Sequence, residues 1–331
     1  MRYEKLGEDK TIDFLKEYDG HYLTHLVFLK DKHIFFAASH QVMLIYEKSH
    51  HVIVVLGDPI GNKEYFSQAI AEFQAFIDEY GYKATFYQVS ESLLSMYHDY
   101  GYDFFKLGET AVIDLEHFGL VGPKYRDFRN ILSRFQRDGY CFEISEQQLS
   151  DDLYLSLKQV SDEWLDGRKE MGFSLGWFDK TYLERSPIAI IKESQTNEII
   201  AFASIMPSYD DNQSASIDLM RFKKNIPNNA MMFLILHILM YYKEQDYKFF
   251  NLGMAPLSNV GAARNAHFRE KIAHLVCKHG KHFYSFDGLR KYKDKFDPKW
   301  EARYLAYDDL TLLPSSLIEA TLLIHSHKIK G

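Results

Sequence analysis

Short apolar runs broken by polar pairs open the chain: "HLVFL" (25–29), "IFFAAS" (34–39), "QVMLIYEK" (41–48) and "HVIVVLGD" (51–58). Their length and their β-branched and aromatic content predict four strands. The period then changes. Within "KEYFSQAIAEFQAFIDEYG" (63–81), Phe66, Ile70, Phe73 and Ile77 recur at helical spacing and Gly81 supplies a stop, which predicts a helix. "KATFYQV" (83–89) returns to strand, "SESLLSMYHDYG" (90–101) reads as a serine-capped helix, and "KLGETAVIDL" (106–115) as another strand.

The same order comes back. "IAIIKE" (188–193), "IIAFASIMPS" (199–208) and "SASIDLMRF" (214–222) read as strands, and "PNNAMMFLILHILMYYKEQ" (227–245) as a helix entered through proline and asparagine. "YKFFNLGM" (247–254) is a strand, followed by a loop and a helix over "GAARNAHFREKIA" (261–273). "YGYKATFYQVS" and "QDYKFFNLGMA" align at a shift of about 165 residues, as do the helices before them, so the pattern implies an internal duplication. Each half fits a mixed sheet with helices on its faces, an α/β (α+β) class. Between the halves, "PKYRDFRNILSRFQRDG" (123–139) gathers Arg126, Arg129, Arg134 and Arg137 within roughly 140° of a helical wheel, opposite Phe128, Ile131, Leu132 and Phe135. The expected organisation is a first domain over 1–120, a basic connecting helix over 121–140 and a second, catalytic domain over 141–331.

Charge sharpens this picture more than composition does. The 331 residues are 46% hydrophobic and carry a net charge of −7, yet His117–Tyr140 is +3 and Arg264–Arg303 is +6. Local basic zones on an acidic chain suggest anionic partners at defined places. The longest apolar run, "AMMFLILHILMYY" (230–242), is too short to span a bilayer and reads as a buried helix. Cys141 and Cys277 lie far apart without ligand spacing, and the histidines at 50–51, 267, 274, 279 and 282 lack a matching carboxylate set, so no metal and no disulfide is expected. No P-loop, dinucleotide fingerprint or nucleophile elbow is present.

The strand–helix order resembles the GCN5-related N-acetyltransferases, which bind the coenzyme A pyrophosphate on backbone N–H groups of a glycine-rich turn. The corresponding turn here, "RFKKNIPNNA" (221–230), has no glycine, and Pro227 removes a donor. An acyl-CoA donor is therefore disfavoured, and no cofactor is expected. Candidate chemistry gathers elsewhere. "FFNLGMAPLSNVG" (249–261) offers Asn251, Gly253, Met254, Ser258 and Asn259 at a strand end where a ligand can come close. "SIDLMRF" supplies Asp218 and Arg221, which a regular strand would point to opposite faces unless a bulge or the strand end lets both reach one crevice. "FDGLRKYKDKFDPKWEARYLAY" (286–307) sets Arg290, Lys291, Lys293 and Arg303 among aromatics, a composition suited to phosphates.

"NLGMAPLSNVG", "DLMR" and "GLRKYKDKFDPKWEARYL", with "YKATFYQVS" and "FFKLGETAVIDLEHF", closely resemble the C-terminal catalytic part of the bacterial multiple peptide resistance factor family, the aminoacyl-phosphatidylglycerol synthases. The resemblance runs over nearly the whole chain. It implies tandem acyltransferase-like domains that move an amino acid from aminoacyl-tRNA to the glycerol hydroxyl of phosphatidylglycerol. Such transfer lowers membrane negative charge and gives resistance to cationic antimicrobial peptides. It implies lysine as cargo and lysyl-tRNA as donor, with alanine as the rival, at the cytoplasmic face of the bacterial membrane. Full-length members carry an N-terminal membrane region that this sequence lacks. On this reading Asp218 binds the aminoacyl amino group or helps deprotonate the lipid, and Arg221 with the Gly253–Asn259 loop holds the ester carbonyl. Glu270 contacts an ammonium, Arg290, Lys291, Lys293 and Arg303 take phosphates, and the arginines at 126, 129, 134 and 137 form a second phosphate track. A tRNA-dependent peptidyl aminoacyltransferase of cell-wall synthesis, a lipid-binding module and an acetyl-CoA enzyme are the readings from other classes.

Overall fold

The computed structural model describes residues 8–145, 149–258, 260, 286–308 and 313–325. Twelve strands form one mixed sheet among these residues: β1 His33–Ala37, β2 Val42–Ser49, β3 Val52–Leu56, β4 Ile60–Gly61, β5 Lys83–Ser90, β6 Asp103–Asp114, β7 Tyr140–Ser145, β8 Ile188–Glu193, β9 Ile199–Pro207, β10 Ser214–Phe222, β11 Phe249–Pro256 and β12 Lys299–Tyr307. Their order is β1-β2-β3-β5-β12-β6-β11-β10-β9-β8-β7, with β4 beside β2.

The repeat seen in the sequence is a repeat of topology. In each half an antiparallel meander leads into one parallel pair joined through a helix, β3 with β5 through Phe66–Glu79 and β10 with β11 through Ala230–Glu244. The halves then exchange their closing strands. β6, from the first half, pairs with β11 of the second, while β12, from the end of the chain, lies between β5 and β6. The two halves thus share one sheet.

Helices cover this sheet because their apolar stripes have nowhere else to go. Phe66, Ala69, Ile70, Phe73 and Ile77 of the first crossover helix are buried, each large side chain contributing roughly 1.5–3 kcal/mol of transfer free energy. Ala230–Glu244 is apolar almost all round and correspondingly sunk into the core. The basic helix Arg126–Arg137 lays Phe128 and Phe135 inward, with Phe135 stacked on Phe233 at 4.7 Å between centroids. One expectation fails: residues 25–29, expected as a strand, form the 3₁₀ helix Thr24–Leu29. All six of its residues are buried, so its apolar run reports depth and not the alternation of a half-buried strand.

Candidate active site

β10 and β11 pair for only three residues, Ser214–Ser216 against Phe249–Asn251, and then separate. The parting has a local cause in each strand. In β10, Asp218 and Leu219 oppose Ser204 alone in β9, a β-bulge, and the Leu219 N–H donates to the Ser204 hydroxyl at 3.1 Å. In β11 the register slips between Asn251 and Met254, where Gly253 adopts φ +83°. The Gly253 N–H donates to the Asn251 side chain at 2.7 Å. Each bulge takes an N–H off the ladder, and a neighbouring polar side chain satisfies it.

The gap so made is a cavity of about 360 Å³, walled mostly by apolar side chains such as Leu107, Met206, Met220, Leu252 and Met254. Asp218 lies in one wall and Lys293 in another. The Asp218 carboxylate accepts from the Tyr182 hydroxyl at 2.7 Å and from the Gly176 N–H at 3.0 Å. Burial pushes its pKa up, while those two hydrogen bonds and the cations of Arg221 and Lys32 draw it back. Gly176 is required by space: a Cβ there would meet the Asp218 carboxylate at 1.9 Å.

Lys293 is 8% exposed, and among the described residues no carboxylate pairs with it. Its ammonium donates to the Gly253 and Met254 carbonyls at 2.9 and 3.1 Å, groups that the β11 bulge turns away from the ladder. Desolvation by burial lowers its pKa to about 7. The helix that carries it, Phe286–Asp294, is anchored by Arg290, which pairs with Glu109 of β6 and the Ser258 hydroxyl and lies 4.1 Å from the Trp300 ring. Lysine with a near-neutral pKa is able to exchange a proton with a substrate hydroxyl.

Of the residues singled out in the sequence, Asp218, Gly253, Met254 and Lys293 line the cavity. Asn251 and Ser258 stand behind it, holding the bulge and Arg290. Arg221 does not line it. Its guanidinium makes a bidentate pair with Glu170 at 2.8 and 2.6 Å, donates to Ser161 and lies 5.0 Å from the Trp164 ring. Arg303 is buried beside Tyr22 and Glu301, Lys291 is exposed, and neither lines the cavity. Arg290 is spent on Glu109, so of the four expected phosphate ligands in this region only Lys291 is exposed. On the connecting helix, Arg129 donates to the Leu120 and Gly122 carbonyls and Arg134 to the Asn228 carbonyl, which leaves Arg126 and Arg137 the more outward of the four. Asn259 and Glu270, like the helix expected over 261–273, lie outside the described residues.

Sequence reasoning missed Glu170, Gly176 and Tyr182, which reach Asp218 or Arg221 from a segment distant in the chain. The available signal was "MGFSLGW" (171–177), two glycines among large apolar residues next to an acidic stretch.

Comparison with known proteins adds to this geometry. A family model described as phosphatidylglycerol lysyltransferase, C-terminal, matches residues 12–307. The phosphatidylglycerol lysyltransferase of Bacillus subtilis (strain 168) is 41% identical over 325 residues, covering 98% of this chain and 38% of that protein. Among solved structures, L-PGS from Bacillus licheniformis superposes with a TM-score of 0.90 at 42% identity, covering 98% of both chains. The C-terminal domain of a putative lysylphosphatidylglycerol synthetase from Agrobacterium fabrum gives 0.86 at 37% identity, covering 97% of this chain and 98% of the other. The chain thus spans well under half the length of the curated relatives it matches.

Proposed function

We propose, for a chain that belongs to the phosphatidylglycerol lysyltransferase C-terminal family, that it transfers lysine from lysyl-tRNA to the glycerol hydroxyl of phosphatidylglycerol. The observation that carries this reading is one largely apolar cavity holding a buffered carboxylate and a near-neutral lysine and opening between two bulged strands. An apolar wall suits a lipid acceptor, Asp218 suits a cationic aminoacyl group, and Lys293 suits proton transfer.

The proposed reaction is a transesterification. The lipid hydroxyl oxygen attacks the ester carbonyl carbon, the bond to the ribose oxygen of the tRNA breaks, and the lipid proton ends on that ribose oxygen. Neutral Lys293 accepts the proton from the attacking hydroxyl and returns it to the leaving oxygen, so no oxidant, metal or energy source enters the balance. Asp218 holds the lysyl ammonium in place for attack, a contribution of position and charge. Arg221 acts indirectly: through Glu170 it fixes the segment that presents the Gly176 N–H to Asp218. Arg126, Arg137 and Lys291 are left to meet phosphates of the tRNA. We place the two acyltransferase-like units at 1–120 and 141–331, joined by the basic helix and interlocked through β6 and β12. In the full-length protein the product would make the membrane less negative at its cytoplasmic face.

The test is transfer of label from lysyl-tRNA or alanyl-tRNA to phosphatidylglycerol micelles, read as lipid-extractable counts. Lysyl label in lipid, lost in Asp218→Asn, supports the proposal. Alanyl label alone replaces the cargo, and label in a wall-peptide acceptor with none in lipid overturns the assignment.

A further inference from the structure

The segment Gly167–Phe178 presents two large apolar side chains to solvent although its backbone is held firmly. The Gly172 N–H donates to the Ile324 carbonyl at 2.8 Å, the Phe173 N–H to Asp31 at 3.0 Å and the Phe178 N–H to Glu170 at 3.1 Å. Phe173 and Trp177 are buried beneath it. Between these anchors Met171 and Leu175 are each 40% exposed, and both stand at the rim of the cavity. A pinned loop that holds apolar groups outward keeps them from the core at a cost in stability, which points to a surface that meets something apolar.

The charge around this rim identifies the partner. Arg168 and Lys169 are exposed directly before Met171. Arg168 lies 4.7 Å from the Trp164 ring and donates to the Leu165 carbonyl at 2.9 Å and to the Trp164 carbonyl, which fixes its guanidinium at the surface beside the freer Lys169. The acids on the same stretch are occupied: Asp166 by Lys224 at 2.7 Å, and Glu170 by Arg221. What faces outward is a pair of cations followed by apolar tips, complementary to anionic head groups lying over acyl chains.

We propose that Gly167–Phe178 is a membrane-docking lip: Met171 and Leu175 enter the boundary of an anionic phospholipid bilayer while Arg168 and Lys169 engage its phosphates. The lip rests on the reading of the cavity as a phosphatidylglycerol site, and it delivers a lipid head group to Asp218 and Lys293 while the acyl chains stay in the bilayer.

Vesicles of phosphatidylcholine with and without phosphatidylglycerol, sedimented with the protein, test the lip. The wild-type chain is expected to bind the anionic vesicles in a salt-sensitive way. Arg168→Glu with Lys169→Glu should weaken binding by roughly tenfold or more. Met171→Gln with Leu175→Gln should weaken it at low salt too, with the melting temperature of both doubles close to wild type. Transfer to a short-chain, water-soluble phosphatidylglycerol is the second readout, and the Arg168/Lys169 double should retain it, since neither residue lines the cavity. Wild-type vesicle affinity in either double, no wild-type binding to anionic vesicles, or loss of soluble-lipid transfer with vesicle binding intact each overturns the lip. Absence of transfer to either lipid form by the wild type, with vesicle binding lost in both doubles, would instead sink the enzymatic reading and leave the lip standing.

Discussion

The two parallel strand pairs share one arrangement and differ in their last residues. β3 and β5 pair over five residues and are extended by a bond from the Gly57 N–H to the Tyr87 carbonyl at 2.8 Å. Two residues beyond the last pair stands Asp58, which accepts from the Ser90 N–H at 3.0 Å and faces the Tyr97 hydroxyl at 3.3 Å. Asp218 stands two residues beyond the last pair of β10 and β11 and also accepts from a tyrosine hydroxyl and a backbone N–H. In the first half the crevice is plugged: a Cβ on Gly57 would strike the His21 ring at 2.6 Å. In the second half two bulges hold the strands apart and leave a cavity. Similar carboxylates in similar cradles become a structural joint in one case and part of a cavity wall in the other. The difference is what fills the space between the strands.

Breaking the open crevice should have the largest effect. Asp218→Asn or Lys293→Met is expected to lower lysyl transfer by about 10²–10⁴-fold, whereas Asp58→Asn should lower the melting temperature and leave transfer within about threefold. Equal losses of transfer from Asp58 and Asp218 would refute the contrast. The pH profile sharpens it further. Because neutral Lys293 is the proposed base, kcat/KM should climb tenfold per unit below pH 7 and level off above about 7. The same depressed pKa makes the charged lysine costly in the fold: the penalty is complete below about 7 and fades as pH rises towards the ordinary lysine value of about 10.4. Lys293→Met should therefore be stabilised relative to wild type at pH 6 by more than at pH 10, read by denaturant melts.

Gly176→Ala comes next. With a Cβ inside the Asp218 carboxylate, that side chain must move, and a displacement near 1 Å is expected to cost about 10²-fold in kcat. Breaking the Arg221–Glu170 pair from one side, as Glu170→Gln, should cost about 3–5 kcal/mol of stability, because Arg221 is 2% exposed and would keep its charge without a partner. The smallest effects compare two glycines. Gly57→Ala and Gly253→Ala both force a left-handed residue at about 1–2 kcal/mol, to which Gly57→Ala adds the clash with the His21 ring, but only Gly253→Ala should also lower transfer, since its carbonyl holds Lys293. Transfer lost equally in both would mean that the first crevice also serves the reaction.

Much of this was legible before any coordinates. β8 and β10 fall on the residues their patterns predicted, and the basic helix lies within its expected span. The pattern that recurs at about 165 residues corresponds to the parallel, helix-joined strand pair that each half contains. Asp218, Gly253 and Met254, which line the cavity, were singled out because small residues at a strand end and an acid on the neighbouring strand are local signals. Lys293 was named for the wrong surroundings: among six basic residues it read as one more phosphate ligand, and nothing in "RKYKDK" (290–295) tells which lysine is desolvated. Arg221 was singled out together with Asp218 on one strand, but it does not line the cavity, and its partner Glu170 is fifty-one residues away in the chain.

Local periodicity settled most of the elements, since the spacing of apolar side chains is written within a turn or a strand, while the family likeness rested on the motifs themselves. Folding in three dimensions settled the neighbours. β12 lies between β5 and β6, the bulges face each other across a gap, and one lysine among several is stripped of water. Those outcomes depend on which surfaces compete to exclude solvent, a sum over residues far apart in the chain that no short window contains.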